Sequence, residues 1–461
     1  NRDMAFLNGT LQLFEPASPR GWRLPIDFFF RSLAQDQNER AIGVVLSGTG
    51  SDGTLGIRAI KGEGGMVIAQ NPESTEYDGM PRSAIGTGLV DYELPPAEMP
   101  AQLIAYVTYT FGKPPRPVTP ESKSENALKK IFVLLRAQTG HDFSQYKPST
   151  IQRRIERRMA VHQIESMDSY VKFIQQAPEE VEALFRDMLI GVTSFFRDPE
   201  AFKALEEQII PKLFAAKHAD AEIRIWVPGC STGDEAYSLA ILLAERQEVL
   251  KQNFKIQVFA TDIDNHAIAA ARTGIYPASI AADLTPERLA RYFSPEPGDS
   301  AFRINKGIRD MLVFSEQNVI KDPPFSRLDL ISCRNLLIYL GGELQKKLIP
   351  LFHYALNPEG FLFLGTSETV GEFQDLFAAL DRKFRLYQRK EDLKIAHRAG
   401  LGRFLPPMTT PDAGSPRTTK KTVPSGKLPL RELKKAMLEE IVHAGALVNA
   451  QGDILYLHGR T

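Results

Sequence analysis

The clearest pattern of apolar and polar positions along the chain lies in residues 223–240. Ile223, Ile225 and Val227 form a β-branched apolar run that predicts a buried parallel strand. A turn rich in glycine, serine and threonine follows, and apolar residues then recur at helical spacing. In an open α/β sheet, the loop of such a strand–loop–helix unit lies at the carboxyl end of the strand, where ligands bind. We therefore expect a ligand at residues 229–235.

The chemistry of this loop narrows the choice of ligand. Gly229 allows the backbone to approach a bound molecule closely, and the following helix starts with two carboxylates, Asp234 and Glu235. These carboxylates would repel a phosphate group, whereas hydroxyl and ammonium groups would be accepted. A second apolar run, at 256–261, ends in Asp262, and an acidic residue at the end of the second strand of such a fold binds ribose hydroxyls.

Further apolar runs complete a predicted α/β domain over residues 206–392. Strands are predicted at 314–319, 328–339, 358–365 and 382–387. Strands that alternate with helices and carry loops at their ends predict a mostly parallel, Rossmann-like sheet. Between residues 274 and 309 the pattern changes to a short helix and short strands. This change predicts a small inserted β-subdomain at about 275–315.

Residues 1–112 repeat the alternation of strand, loop and helix and predict a partial α/β domain. Apolar runs at 41–46 and 66–69 predict strands, and a loop at 47–54 leads from the first of them into a helix at 55–60. On spacing alone, this loop is compatible with a weak phosphate nest and with a tight turn. The next segment, 113–126, is rich in proline, serine and charge and predicts a linker.

Three motifs follow one another in this first part: SGTGSDGTLGIRAIK, AQNPESTEYDGMP and RSAIGTG. Together they resemble the C-terminal half of CheB-type chemotaxis methylesterases. That family hydrolyses glutamate methyl esters on chemoreceptors with a Ser/His/Asp triad, and the resemblance places the triad aspartate at Asp52. No histidine precedes His141, and an aspartate that only orients a missing histidine cannot hydrolyse an ester. We expect esterase activity only in a longer protein, of which this chain is a fragment.

Amphipathic patterns predict a small helical domain over residues 127–205. Helices are expected at 127–135, 151–159, 167–176 and 178–188, with Gly140 as C-cap of the first and Ser149 or Thr150 as N-cap of the second. The second helix combines an apolar face (Ile151, Ile155 and Met159) with four arginines, Arg153, Arg154, Arg157 and Arg158. These arginines form either a solvated face or a docking surface for an acidic protein partner.

The segment at 189–199, which joins the helical and α/β domains, is a further candidate. In one interpretation, Phe195 and Phe196 pack the seam between the domains and Arg197 pairs with Asp198. In the other, Arg197 clamps a carboxylate, for which a guanidinium group is well suited.

Five motifs occur in order along residues 127–392: TSFFRD, VPGCSTGDEAYS, FATDID, QNV and ISCRNLLIY. They resemble CheR-type chemotaxis receptor methyltransferases, which transfer a methyl group from S-adenosylmethionine to receptor glutamates. The resemblance implies a class I methyltransferase fold with S-adenosyl-L-methionine as its cofactor. It implies cofactor contacts from Thr193, Arg197, Gly229, Glu235, Asp262, Asn318, Val319, Asn335 and Leu336, and it places Tyr339 near the transferred methyl group. Gly191 stands where some members have asparagine.

The same resemblance implies a mechanism and partners. A glutamate carboxylate is already a nucleophile and a sulfonium is already a good leaving group. Arg197 and Tyr339 are therefore expected to position the reactants, without acting as bases. The expected substrate is the cytoplasmic part of a chemoreceptor, whose acidic methylation helices would meet the arginine face at 153–158. The insertion would hold a receptor tail peptide.

Composition sets limits on other functions. Lys plus Arg and Asp plus Glu each number 56, so there is no basic signal for nucleic acid. Two cysteines, Cys230 and Cys333, cannot form a disulfide framework or a cysteine-rich metal site, which favours a reducing cytoplasm. No apolar run approaches the roughly 18–20 residues of a membrane span, which predicts no direct insertion into a membrane.

Two other functions remain open at this point, together with the identity of the C-terminal segment. A nicotinamide-dependent dehydrogenase also carries a glycine-rich loop after its first strand, although GCSTGDE lacks the GxGxxG register. A signalling scaffold would bind the cofactor without catalysis. Residues 393–428 predict a flexible linker and 429–442 a helix. Two strands expected at 446–458 resemble the first hairpin of a PAS module, and a generic hairpin is equally compatible with them.

Overall fold

The computed structural model of the chain describes residues 2–15, 24–111, 121–189, 191–215, 217, 221–297 and 301–391, together with the backbone of 445–448 and 454–458. The chain divides into two units, at 1–393 and 394–461. Within the first unit we distinguish the N-terminal module (residues 2–111), the helical module (121–189) and the main module (191–391). Short 3₁₀ helices lie at Asn38–Arg40, Pro72–Ser74, Ala278–Ala282 and Leu337–Tyr339.

The N-terminal module combines a hairpin with a small parallel sheet and its helices. Its elements are β1 (Asp3–Leu7), β2 (Thr10–Phe14), α1 (Pro25–Gln37), β3 (Ile42–Val45), α2 (Thr54–Gly62), β4 (Met66–Gln70), α3 (Gly79–Ile85), β5 (Tyr92–Leu94) and α4 (Met99–Phe111). Strands β3, β4 and β5 pair in parallel in that order. The strands predicted at 41–46 and 66–69 and the helix between them are confirmed.

The helical module packs its helices around one apolar core. They are α5 (Glu121–Thr139), α6 (Pro148–Val161), α7 (Met167–Gln176) and α8 (Pro178–Met188). Because α5 begins at Glu121, residues 121–126 are helical and do not belong to a linker. Gly140 ends α5 with a φ of +77°, as expected of a C-cap. α6 begins at Pro148, whose fixed φ and missing N–H suit the first helical position, so Ser149 and Thr150 lie inside the helix and do not cap it.

The main module alternates helices and strands. Its elements are α9 (Pro199–Gln208), α10 (Ile210–Ala215), β6 (Glu222–Pro228), α11 (Asp234–Leu250), β7 (Lys255–Asp262), α12 (Asn265–Thr273), β8 (Ile275–Pro277), α13 (Pro286–Tyr292), β9 (Phe293–Pro295), β10 (Ala301–Ile304), α14 (Lys306–Arg309), β11 (Leu312–Glu316), β12 (Leu328–Cys333), α15 (Gly342–Ala355), β13 (Leu356–Leu364), β14 (Phe377–Asp381) and β15 (Leu386–Arg389). Phe202 and Leu205 of α9 are buried in the core of this module. The domain boundary expected at residue 205 therefore falls inside a helix.

Seven of the described strands of the main module form one sheet in the order β11-β7-β6-β12-β13-β15-β14. The first five run parallel, and β15 is antiparallel to both of its neighbours. The strand order reverses between β6 and β12, and open α/β sheets bind ligands outside the carboxyl ends of the strands at such a point. The predicted mostly parallel sheet is thus confirmed.

The details of the sheet and of its insertion differ from the prediction in three places. β12 ends at Cys333, and the polar residues after it form a turn. The strand predicted at 382–387 begins at Leu386, because residues 382–385 are the turn that joins it to β14, which was not predicted. β8, β10 and β9 form the expected small antiparallel sheet, but β11 returns to the main sheet at Leu312, before the expected end of the insertion.

Both faces of the main sheet are buried. One face, with Ile225 and Leu330, packs against α9, α10 and α11, and the other, with Trp226 and Ile331, packs against α15. Successive residues of a strand point to opposite faces, so neighbouring side chains enter different cores. Burial on both faces explains why these strands are continuous apolar runs in the sequence.

The second unit contains one described feature. β16 (Gly445–Val448) and β17 (Ile454–His458) pair as an antiparallel hairpin, which confirms the two strands predicted there. A two-stranded hairpin occurs in many folds and does not identify a PAS module. The linker predicted at 393–428 and the helix predicted at 429–442 lie outside the described residues. Over the described ranges, no helix has the length and apolar character needed to span a bilayer.

Candidate functional site

The carboxyl ends of β6, β7, β11 and β12 lie beside the segment 191–198, which precedes α9. Strained backbone is concentrated in these loops. Four non-glycine residues have positive φ: Phe196 (49°), Asp198 (59°), Ser231 (49°) and Asn335 (58°). Each such conformation costs on the order of 1–3 kcal/mol and persists where the surroundings impose it, which is typical of ligand sites.

The loop after β6 is tied to the loop after β7 through Asp262. The Ser231 N–H donates to Asp262 Oδ2 (2.8 Å), and the Asp264 N–H donates to Asp262 Oδ1 (3.0 Å). Desolvation raises the pKa of Asp262, and these backbone hydrogen bonds oppose the rise. Each carboxylate oxygen accepts one backbone N–H and retains a lone pair for a further donor. Asp262 is half-buried, so it remains accessible to a ligand.

Glu235, at the start of α11, is held by two side chains. Ser332 Oγ donates to Glu235 Oε1 (2.6 Å), and Arg334 Nη1 lies 3.3 Å from Glu235 Oε2. Burial raises the pKa of Glu235, and the positive charges of Arg334 and Arg197 oppose the rise. Glu235 is thus a buried carboxylate whose charge depends on two arginines.

Arg334 lies within the ISCRNLLIY motif but is not among the predicted site residues. Its side chain is fully buried and also donates to the Arg197 carbonyl (3.0 Å) and to Asp198 Oδ2 (2.7 Å). The predicted pairing of Arg197 with Asp198 is therefore wrong, because Asp198 pairs with Arg334. One guanidinium group joins β12, the start of α11 and the segment before α9.

The segment before α9 is folded back on itself. Phe195 and Phe196 are buried in the core of the main module, against rings such as Tyr276 and Phe202, and not at the expected seam with the helical module. The Arg197 guanidinium donates to the carbonyl of Val192, which closes a loop around the half-buried Thr193. A Cβ built on Gly191 would clash with Ser231 Oγ, so the close approach of two loops requires glycine there. This contact explains why the chain has glycine at position 191, where some members of the resembled family have asparagine.

The loop after β11 meets the helical module. Asn318 Oδ1 accepts the Ile320 N–H (3.0 Å), and Asn318 Nδ2 lies 3.3 Å from His141 Nδ1. Asn318, His141 and Gln317 line a pocket of about 340 Å³. Burial and then the charge of Lys321 lower the pKa of His141, which favours a neutral imidazole. His141 is not among the predicted site residues, since no local pattern connects it with Asn318.

Val319, next to Asn318, is partly buried against the core that packs on α15. A further pocket of about 350 Å³ lies at the opposite edge of the main sheet, around Lys217, Asp329 and Gln388. It contains none of the predicted site residues. Of the predicted site residues, Asn318 lines the pocket beside His141.

The loop after β12 carries Asn335, Leu336 and Tyr339. Buried Glu368 accepts N–H groups from Asn335 (2.9 Å), Ile338 (3.2 Å) and Gly365 (2.7 Å) and so fixes this turn. Tyr339 ends a short 3₁₀ helix and is half-buried. Glu368 was not predicted because it comes from the loop after β13.

The turn after β12 also closes over the glycine loop. Gly229 has a φ of +71°, and a Cβ built on it would lie 3.3 Å from Leu336 Cδ2. Asn335 Oδ1 is buried and has no hydrogen-bond partner among the described residues. Buried polar atoms are normally paired, so this acceptor suits a donor from a ligand. With Asp262 as a further acceptor and Arg197 as a donor, the site fits a ligand with hydroxyl, ammonium and carboxylate groups.

Three family models match consecutive parts of the chain. They are CheB methylesterase at residues 2–103, the all-alpha domain of CheR methyltransferase at 126–189 and its SAM-binding domain at 191–385. A chemotaxis protein methyltransferase of Borreliella burgdorferi is 30% identical over 253 residues, which are 54% of this chain and 89% of that protein. The chain belongs to the CheR methyltransferase family. Its main module is the domain that binds S-adenosylmethionine, which accounts for the absence of the dehydrogenase GxGxxG register.

Two further proteins are similar to parts of the chain. An uncharacterized 104.1 kDa protein of Rhodobacter capsulatus is 39% identical over 403 residues, which are 83% of this chain and 42% of that protein. The chain therefore spans less than half the length of that relative. The CheB methylesterase catalytic domain of Thermotoga maritima is 34% identical, and the match covers 22% of this chain and 56% of that chain with a TM-score of 0.21.

The arginine face predicted on α6 of this CheR-family chain is not exposed. Arg154, Arg157 and Arg158 are 3%, 5% and 8% exposed, and only Arg153 faces solvent among the four. The prediction of an exposed docking surface at 153–158 is therefore wrong. Arg157 and Arg158 pair with buried carboxylates, and Arg154 donates to backbone carbonyls of α2.

In the CheB methylesterase module, Asp52 caps α1. Its Oδ1 accepts the Asp27 N–H (2.9 Å) and its Oδ2 accepts the Ile26 N–H (3.1 Å). Among the described residues, no histidine forms a hydrogen bond with Asp52. The carboxylate therefore serves the start of a helix, and its role in a triad stays a prediction for a longer protein.

Proposed function

We propose that this chain methylates glutamate side chains of chemoreceptors with S-adenosyl-L-methionine as the methyl donor. The observation that carries the proposal is the convergence of Arg197, Glu235, Asp262 and the orphan acceptor of Asn335 at the strand-order reversal of the main sheet. This set offers acceptors to hydroxyl and ammonium groups and a guanidinium to a carboxylate.

Each predicted residue has a proposed contact with the cofactor. Asp262 accepts from the ribose hydroxyls. Asn318 and Val319, with His141 beside them, flank the adenine ring, and Asn335 and Leu336 flank the methionine part. Thr193, the backbone at Gly229 and the charge of Glu235 complete the pocket. Support comes from their arrangement around the loops after β6, β7, β11 and β12.

The proposed reaction requires the protein mainly to position the methyl donor and the glutamate carboxylate. S-adenosylmethionine, when bound, supplies a methyl group on a sulfonium, and the glutamate carboxylate is itself the nucleophile. Arg197 orients a carboxylate and Tyr339 lines the path of approach, so neither removes a proton. Burial of the loops removes water around the reacting groups, which favours attack by a carboxylate.

The proposed partner is the cytoplasmic, glutamate-bearing part of a chemoreceptor, which would place this chain in the cytoplasm. Because Arg154, Arg157 and Arg158 are buried, acidic methylation helices must approach another surface. The insertion formed by β8, β9 and β10 remains the proposed seat of a receptor tail peptide, by its resemblance to the family.

A methyl-transfer assay tests this proposal. The purified chain is incubated with radiolabelled S-adenosylmethionine and receptor cytoplasmic fragments, and base-labile methyl esters are counted. We expect label on glutamate, and none on a fragment whose methylated glutamates are replaced by alanine. Calorimetric binding of the cofactor without any transfer would instead favour the signalling scaffold.

A further inference from the structure

We propose that the CheB methylesterase module is a positioning element of the methyltransferase's cofactor site. Its helix α2 holds the segment 191–198 through Gly62 and faces the loop after β6 through Arg58. The inference rests on cofactor binding by the main module and is independent of the identity of the methyl acceptor.

The contact at Gly62 is a close packing of backbone against a branched side chain. A Cβ built on Gly62, the last residue of α2, would clash with Val192 Cγ2. Val192 has few accessible rotamers because it is β-branched, so it cannot easily turn away. The Val192 carbonyl accepts from the Arg197 guanidinium. A displacement of Val192 therefore moves Arg197 as well as the adjacent Thr193.

A second contact reaches the glycine loop. Arg58 Nη1 of α2 lies 3.5 Å from Thr232 Oγ1, which donates to Asp234 Oδ2 (2.6 Å) at the start of α11. Burial raises the pKa of Asp234, and the hydrogen bond from Thr232 and the charge of Arg58 oppose the rise. A cation of the N-terminal module thus helps to keep a buried carboxylate of the cofactor loop ionised.

Buried charges fix α2 in this place. Arg154 of α6 donates to the carbonyls of Lys61 (3.0 Å) and Gly62 (2.8 Å). Lys61 Nζ lies 2.8 Å from Asp91 Oδ1, and Arg157 pairs with Asp91 and with Asp187 of the helical module. The side chains of Lys61, Asp91, Arg157 and Asp187 are at most 8% exposed. Loss of one partner from this cluster would leave a buried charge uncompensated, which is costly.

Two other contacts show that the attachment is broad. Arg31 of α1 pairs with Asp283 of the insertion at 3.1 Å. Ile68 and Tyr106 of the N-terminal module share one apolar core with Ala160 and Val161 of α6. The module is thus held at three places, by α6, by the insertion and by the loops of the site.

The first test is a double-mutant cycle between Gly62 and Val192, with S-adenosylhomocysteine binding measured by calorimetry on the full chain. We expect Gly62→Ala to weaken binding about tenfold, or about 1.4 kcal/mol. In a Val192→Ala background the clash is absent, so Gly62→Ala should have no effect there. Gly307→Ala is the control, since a Cβ at that glycine meets nothing within 4 Å.

Unchanged affinity in Gly62→Ala, or an equal loss in both backgrounds, would overturn the proposal. If Gly62→Ala does not fold, S-adenosylhomocysteine binding by Arg58→Met is the deciding measurement, with the exposed Arg153→Met as its control. Weaker binding in the folded Arg58→Met variant supports the positioning role, and wild-type affinity contradicts it. A wild-type chain that does not bind S-adenosylhomocysteine would contradict the cofactor assignment itself.

Discussion

At the scale of single residues, Arg334 connects more of the site than any predicted residue. It joins Glu235, Asp198 and the Arg197 carbonyl from a fully buried position. Its guanidinium also stacks over the rings of Phe202 and Phe363, at 5.1 and 4.7 Å from their centroids. A planar group with five donors suits this role, and a lysine ammonium cannot replace it.

We expect Arg334→Met to lower the free energy of unfolding by about 3–5 kcal/mol, because it leaves the buried Glu235 without its cation. Urea denaturation at pH 7 measures this change, and calorimetry with S-adenosylhomocysteine should show weaker binding. Arg334→Lys keeps the positive charge but loses the planar set of guanidinium donors. Its stability and affinity should therefore lie between those of Arg334→Met and the wild type. A Met variant with wild-type stability and affinity would remove the role assigned to Arg334.

Arg197 is expected to act in methyl transfer more than in stability. Its side chain is half-buried and donates to a single carbonyl. Misplacement of reacting groups by about 1 Å costs on the order of 100-fold in rate, so Arg197→Ala should reduce transfer by about this factor. The radiolabel assay measures it, with exposed Arg153→Ala as the matched control. A near-wild-type rate in Arg197→Ala would contradict the prediction.

The site residues predicted from local pattern are those whose chemistry is visible in a short window, and the others, such as Asn318 and Tyr339, come from the family resemblance alone. Glu235 and Asp262 stand directly after a strand or at a helix start, where parallel sheets bind ligands. Arg334 and Glu368 were missed as site residues because their function depends on distant partners: Arg334 is 99 residues from Glu235 and Glu368 is 33 from Asn335. Their contacts exist only in the folded chain.

At the scale of elements, α6 shows both the strength and the limit of periodicity. Its apolar face, with Ile151, Ile155 and Met159, is buried as predicted. Arginines at the remaining positions are interpreted as solvent-exposed from the sequence, yet three of them are buried. Two of these pair with carboxylates of α8, Asp187 and Glu180, and the third donates to backbone carbonyls at the end of α2. A helix pattern reports which face is apolar, but it does not report whether a second layer covers the polar face.

The start of α1 carries an unusual carboxyl group. Asp27 Oδ1 accepts the Gly56 N–H of α2 (2.6 Å), and its Oδ2 is buried with no partner among the described residues. Burial raises the pKa of Asp27 to about 7, and the nearby Asp52 adds to the rise. The folded state therefore retains a proton that the unfolded chain releases near pH 4.

This difference predicts a pH dependence. A raised folded pKa contributes stability that is fully present below the unfolded pKa and is lost as pH rises from about 4 to about 7. Asp27→Asn keeps the acceptor for Gly56 but cannot ionise, so it should be more stable than wild type at pH 8 and not at pH 4. Urea denaturation at pH 4 and pH 8 measures the free energy of unfolding, with the exposed Glu39→Gln variant as control. An equal effect of Asp27→Asn at both values would contradict the prediction.

At the scale of the whole molecule, the CheB methylesterase module shares a buried interface with the CheR modules. The module that resembles an esterase lies against the helix α6, the inserted subdomain and the cofactor loops. Domain order and fold class were predictable from motifs, since each module carries its own. The interface was not, because Lys61, Asp91 and Asp187 have no local pattern that marks them as partners of Arg157.

The cluster of Lys61, Asp91, Arg157 and Asp187 gives the last prediction. Burial acts to raise the pKa of Asp91, but the charges of Arg157 and Lys61 outweigh it and hold this pKa well below its usual range. A depressed folded pKa contributes stability that is present above the unfolded pKa, near 4, and is lost as pH falls further. Asp91→Asn should therefore lower the free energy of unfolding by about 3–5 kcal/mol at pH 7.

The difference between Asp91→Asn and wild type should narrow below pH 4, because the unfolded wild-type chain begins to bind a proton at Asp91 there while the folded chain does not. Urea denaturation at pH 7 and pH 3 measures both values, with Glu39→Gln as the exposed control. Because the same cluster fixes the end of α2 at Gly62, the variant should also bind S-adenosylhomocysteine more weakly at pH 7. A variant as stable as wild type at pH 7 would show that the buried charges do not hold the modules together.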